Sequence, residues 1–67
     1  MTITIGTQIK LLHPDVDRDE HDHERRHAVG DIGSVCRIEE RRYYVVMPNG
    51  GELIFHDADL EHVEVLR

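Results

Sequence analysis

Apolar and polar residues alternate over the first dozen positions. Ile3, Ile5, Ile9 and Leu11 fall on odd numbers, and Thr2, Thr4, Gln8 and Lys10 on even ones. That is the period of a strand with one buried face, and it predicts a strand within Thr2 to Leu12. Gly6 is placed to bend this strand or to begin its regular part, and His13-Pro14 ends it because proline cannot donate to a ladder. The pattern then stops. Asp15 to His27 reads DVDRDEHDHERRH, in which Val16 is the sole apolar side chain. Such a segment has nothing to bury and must lie in solvent. It predicts a long polar loop between the first two strands, spanning residues 13–31 with its flanks. Acids early in the segment, Arg25 and Arg26 late in it, and Gly30 beyond are compatible with a frayed helix, but the missing apolar stripe argues against a stable one.

Regular alternation resumes near Val29. Val35 and Ile38 are both suited to a core yet stand three apart, which predicts a bulge or a strong coil in this strand. Glu39-Glu40-Arg41-Arg42 reads as a charged hairpin tip. Tyr43 to Met47 is the strongest strand signal, rich in aromatic and β-branched residues. Pro48-Asn49-Gly50-Gly51 is the strongest turn, since Asn-Gly accepts positive φ. Glu52 to His56 returns as its partner. Asp57 to Leu60 reads as one turn of helix with Asp57 as its cap, and His62 to Leu66 closes with alternation. Five short strands of this kind leave reactive edges unless they curl, so the expected architecture is all-β, a small barrel in a single domain over residues 1–67.

The spaced glycines and strand residues resemble those of SH3-like small barrels from bacteria and phages. In those families a G-x-x-[VI] start is followed by a variable loop, G-x-x-G-x-V, Y-x-V, a glycine turn, and D-L before a Val-rich last strand. The matching residues are Gly6 and Ile9, then Gly30, Gly33 and Val35. Tyr44, Val46, Asn49 and Gly50 follow, with Asp59, Leu60 and Val63 near the end. The resemblance implies a five-stranded SH3-like barrel with a long polar loop between strands 1 and 2 and a one-turn helix before strand 5. Similar shapes occur in KOW-type modules, the variable chain of ferredoxin–thioredoxin reductase and a small extrinsic subunit of photosystem I, so the resemblance implies an accessory or docking role. A type II dihydrofolate reductase also uses such a barrel, but its Gln-Ile-Tyr strand motif does not occur here.

Charge narrows the partners. Fourteen acids against eight basic residues give a net charge of −6 over 67 residues. Phosphate backbones are bound through concentrated Lys and Arg, so a nucleic acid is disfavoured as a partner and a protein with a basic surface is favoured. Cys36 is the only cysteine. A single thiol permits no internal disulfide, fits a reducing compartment, and excludes a zinc site built on several cysteines. No apolar run reaches membrane-spanning length, and Met1 to Leu12 lacks the layout of a signal peptide, so a cytoplasmic location is expected.

Candidate chemistry concentrates in the polar segment. His13, His21, His23 and His27 lie among six acids. On a helix, His23 and His27 would share a face with Asp19 one turn before them, an arrangement suited to zinc or nickel. Asp15-x-Asp17-x-Asp19 imitates the start of a calcium loop, but Glu20 and Arg26 stand where glycine and glutamate are required. Cys36, inside a core-like strand, is expected to be buried and inert. Tyr44 is expected to fill the core, and Tyr43 to cover a sheet face or join a contact patch with Arg41 and Arg42. His56 with Asp57 and Asp59 reads as a turn and its cap. The leading expectation is therefore a non-catalytic protein-binding module, an accessory subunit or small regulator. It would engage a basic partner through Asp17, Asp19, Asp22 and Glu24, with Arg41, Arg42 and Tyr43 on the adjoining sheet. One version is an inhibitor of a nucleic-acid-handling enzyme, placing carboxylates where phosphates would sit. The alternative is a transition-metal domain using His23, His27 and Asp19. A third, nucleic-acid binding, needs Arg25, Arg26, Arg37, Arg41 and Arg42 on one face. A homo-oligomer formed by pairing Thr2 to Leu12 as an edge is also expected to be available.

Overall fold

In a computed structural model describing residues 3–18 and 21–66, the strands are β1 (Gln8–Leu11), β2 (Asp15–Arg18), β3 (Glu24–His27), β4 (Ile32–Glu39), β5 (Arg42–Val46), β6 (Glu52–His56) and β7 (Val63–Leu66). Five of them form one antiparallel sheet in the order β6-β5-β4-β1-β7, which curls into a half-barrel. A 3-10 turn, Asp57–His62, links β6 to β7. The all-β expectation holds, with the single turn of helix where the sequence placed it.

Strand parity decides what the sheet encloses. Val45 is fully buried and sits opposite Val35 and Leu53, so every second residue from it faces inward. The core is Ile9, Leu11, Val35, Val45, Met47, Leu53, Phe55 and Val63, with Ile3, Ile38, Leu60 and Val65 packed at its margin. The predicted bulge is present: the β4–β5 register shifts between Val35 and Arg37, leaving Cys36 as the extra residue. That shift returns Ile38 to the inner face opposite Tyr43 and bends the longest strand, helping one sheet to wrap around the core.

Four local expectations are corrected. The first strand is shorter than its alternation implied, because Thr4 to Thr7 forms a turn with Gly6 at φ 93° and Ile5 is left exposed. β1 also pairs on both sides, with β4 and β7, so it is not the edge available to a second copy; the sheet's edges are β6 and β7. Parity places Tyr43 on the inner side with Phe55, and Tyr44 outside with Ile54. The same bulge exposes Cys36.

The polar segment is the larger surprise. Instead of an irregular loop it contains a two-stranded hairpin, with Asp15 opposite His27 and Arg18 opposite Glu24. Its side facing the barrel carries Asp17 and His27, while Val16 points away and is 48% exposed. Hydrophobic alternation could not reveal this hairpin because its packed side is the polar one.

Gly33 leaves no room for a side chain against the end of β5. A Cβ there would lie 2.6 Å from Met47 Sδ and from Val45 Cγ1, and 2.7 Å from the Val46 carbonyl oxygen. Gly33→Ala is expected to lower stability by about 2–3 kcal/mol through overpacking. Gly50→Ala meets no atom but must hold a positive φ of 88°, and should cost about 1–2 kcal/mol. Urea denaturation of the two variants checks the order.

Candidate functional site

The hairpin is held to the sheet by a clasp of polar groups at the β5–β6 turn. Asp17 Oδ2 accepts the Glu52 backbone N–H at 2.9 Å and lies 3.4 Å from His27 Nε2. The imidazole of His27 is wholly buried and the Asp17 carboxylate is 14% exposed. Gly51 makes room for both: a Cβ on it would come within 2.7 Å of Asp17 Oδ2 and 2.8 Å of His27 Cε1. Asn49 adds a long contact, its Nδ2 donating to the Arg26 carbonyl at 3.5 Å. Among the described residues, Asp17 Oδ1 and both ring nitrogens of His27 are buried and lack a hydrogen bond, while Nε2 stays at ion-pair distance from the Asp17 carboxylate. The clasp therefore anchors the hairpin through polar side chains rather than through apolar burial.

The same residues form the turn that receives the hairpin. Gly50 N–H bonds the Met47 carbonyl at 2.9 Å, and Met47 N–H bonds the Gly51 carbonyl at 2.7 Å. Only Gly50 in this turn takes positive φ, which makes a three-residue connection rather than a two-residue Asn-Gly turn.

Beyond the clasp, the hairpin exposes its charge. Arg18 bridges Asp22 and Glu24, at 3.1 Å to each, and Arg26 reaches Glu24 at 3.4 Å. Asp22 marks the tip with φ 63°. The rings of His21 and His23 lie 6.2 Å apart, and these residues and Arg25 make further interactions. Asp19, expected in both the partner surface and the metal set, lies outside the described residues. His23 and His27 are not on a helix: His23 is exposed, and His27 is inside the clasp. Among the described residues, no group of three or more His, Cys, Asp or Glu is disposed to hold a metal ion.

Arg41, Arg42 and Tyr43 lie at the opposite end of β5 from the clasp. Four strand steps separate Arg42 from Val46, roughly 13 Å. The residues expected to form one partner surface thus divide into two, and Asp17 belongs to the clasp. Tyr43 Oη donates to Asp57 Oδ1 at 3.1 Å, and this bond, with burial and the carboxylate's charge, raises the phenol's pKa above its ordinary 10.0. Arg41 Nε stands 4.0 Å from Asp57 Oδ2. The five arginines considered for nucleic acid are likewise divided, with Arg25 and Arg26 on the hairpin and Arg37, Arg41 and Arg42 toward the β4–β5 end. The Arg37 guanidinium lies 4.4 Å over the Tyr44 ring and bonds Glu39 at 2.9 Å.

Asp57 does not cap the 3-10 turn. The carboxylate of Asp59 accepts the His56 backbone N–H at 3.0 Å, and that bond foremost holds the Asp59 pKa below its ordinary 3.8. His27, Gly51 and Asp59 are the site residues that sequence reasoning undervalued. A histidine opposite a Gly-Gly turn carries no signal until the register is known. Among the described residues no helix is long and apolar enough to cross a membrane. No known protein family, curated protein or solved structure matches the chain.

Two outcomes test this geometry. His27→Ala should cost about 2–3 kcal/mol by opening a cavity against Gly51, whereas His27→Leu should cost less because it fills the space without buried nitrogens; chemical denaturation distinguishes them. Asp59 has a lowered folded pKa, so its contribution is present above the unfolded value and is lost as pH falls through the lower folded one, beneath 3.8. The melting temperature of the wild type should therefore decline more steeply in that acid range than that of Asp59→Asn.

Proposed function

We propose that this chain is a non-catalytic protein-binding module that presents an acidic hairpin to a partner with a basic surface. The observation that carries this reading is the clasp. A hairpin whose single apolar side chain points to solvent adds little to the core, yet half-buried Asp17 and buried His27 fix it to the sheet, Asp17 by accepting the Glu52 N–H. An element held in place for its position rather than its burial is suited to recognition. Six acids against three arginines between Asp15 and His27 give the element its sign, and Asp22 and Glu24 stand on its exposed part. Charge of this kind steers a basic partner and sets salt dependence more than it sets affinity. The likeness to SH3-like accessory domains supports the same role, with a cytoplasmic location as part of the proposal.

The test pairs Asp22→Asn with Glu24→Gln and leaves Asp17 intact, so that the clasp survives. Tagged wild-type domain should retain a partner from native lysate in the presence of EDTA. The double variant should retain it at least about tenfold less well at low salt, with the difference shrinking as salt rises. Equal retention by both forms would remove the hairpin from the interface, and capture that EDTA abolishes would favour metal binding instead.

A further inference from the structure

A second surface follows from the backbone of β6. This strand ends the sheet on one side, so half of its N–H and C=O groups have no neighbouring strand. The Met47 N–H to Gly51 carbonyl bond fixes the phase. Leu53 and Phe55, opposite Val45 and Tyr43, turn their backbone groups toward β5, while Glu52, Ile54 and His56 turn theirs outward. Two of the three outward N–H groups are already occupied. Glu52 donates to Asp17 at 2.9 Å and His56 donates to Asp59 at 3.0 Å. Among the described residues no carboxylate accepts the N–H of Ile54, which lies between them and is 49% exposed.

Ile54 opens onto a groove of 430 Å³ between β6, the start of the hairpin and the 3-10 turn. Leu11, Pro14, Phe55 and Val63 supply apolar lining, and Asp15 and Asp59 supply carboxylates. Neither Lys nor Arg is among the residues that line it. A backbone donor and acceptor on one outward residue match one residue of an antiparallel strand, which would exchange two hydrogen bonds with it. Asp15 and Asp59 share the lining with His13 and His62, and these carboxylates together with a net charge of −6 favour the approach of a cationic occupant.

We propose that this groove binds an extended, positively charged segment of a partner protein, which adds to β6 as a short strand paired with Ile54. The proposal rests on the reading of the chain as a protein-binding module, but it uses a surface other than the acidic hairpin. Asp17 and Asp59 limit the added strand to one rung, so affinity comes from two backbone bonds, the apolar lining of the groove and its carboxylates.

The probe is acetyl-Lys-Val-Lys-Val-Lys-amide, titrated into the isotope-labelled full chain and followed by amide chemical shifts. The Ile54 amide should move most, together with those of Asp15, Asp59 and His62, and the matching Glu-Val peptide should move none. Two N-methylated peptides, one blocked at the lysines and the other at the valines, expose opposite edges. Losing a backbone bond should weaken at least one of them about fivefold. Ile54→Pro removes the outward N–H without touching the ladder to β5; it should keep a dispersed, folded spectrum and lose the shifts. The proposal is overturned if both N-methylated peptides bind like the parent, if folded Ile54→Pro binds normally, or if no amide moves. Shifts confined to Asp22 and Glu24 would also overturn it, while leaving the acidic hairpin as the binding element.

Discussion

A sheet that curls without closing must do something with the backbone groups along its open rim, and much of this molecule is organised around that requirement. The N–H of Glu52 points away from β5 and finds no strand. Asp17 accepts it from a hairpin that otherwise shares little with the barrel. That bond, with the Asn49–Arg26 contact, helps to fix where the hairpin lies, and His27 is buried beside Gly51 in the same arrangement. At the far end of the same strand Asp59 answers the N–H of His56 and so sets the entry into the 3-10 turn. Carboxylates thus serve here as replacements for a missing strand, a means of protecting an edge that would otherwise invite pairing.

This arrangement explains why an acidic composition is compatible with a small fold. Charged side chains add little when exposed, and the surface ion pairs of Arg18, Arg26 and Arg37 are of that kind. Asp17 and Asp59 differ because each accepts a bond from a main-chain donor that the fold has left over, and bonds to a charged acceptor are stronger than neutral ones. In the clasp the same carboxylate also meets the buried imidazole of His27, so one side chain serves both the leftover donor and the packing of the hairpin.

The sequence exposed the barrel more readily than the site. The aromatic and β-branched run of Tyr43 to Met47 and the glycine turn after it set two strands, and the spacing of Val35 and Ile38 pointed to the bulge. Those signals work because apolar residues choose the inner face. Tyr44 was assigned to the core because a tyrosine suits either face, and only the parity set by Val45 separates it from Tyr43. Cys36 was placed inside for the habits of cysteine, but the bulge that the sequence did reveal turns it out. The hairpin escaped detection for a deeper reason: its buried side is defined by hydrogen-bond donors in a distant turn, and no local pattern encodes a partner thirty-five positions away.

The clasp grips the hairpin along its strands, through Asp17 and His27, and leaves the loop around Asp22 exposed beyond it. Lengthening a connection costs only about 0.6 kcal/mol for each doubling of its length when its ends are already fixed. Insertions at the tip would therefore leave the barrel nearly as stable as before. The anchoring of the hairpin and its reach are thus separable properties, and divergence can change the second without disturbing the first.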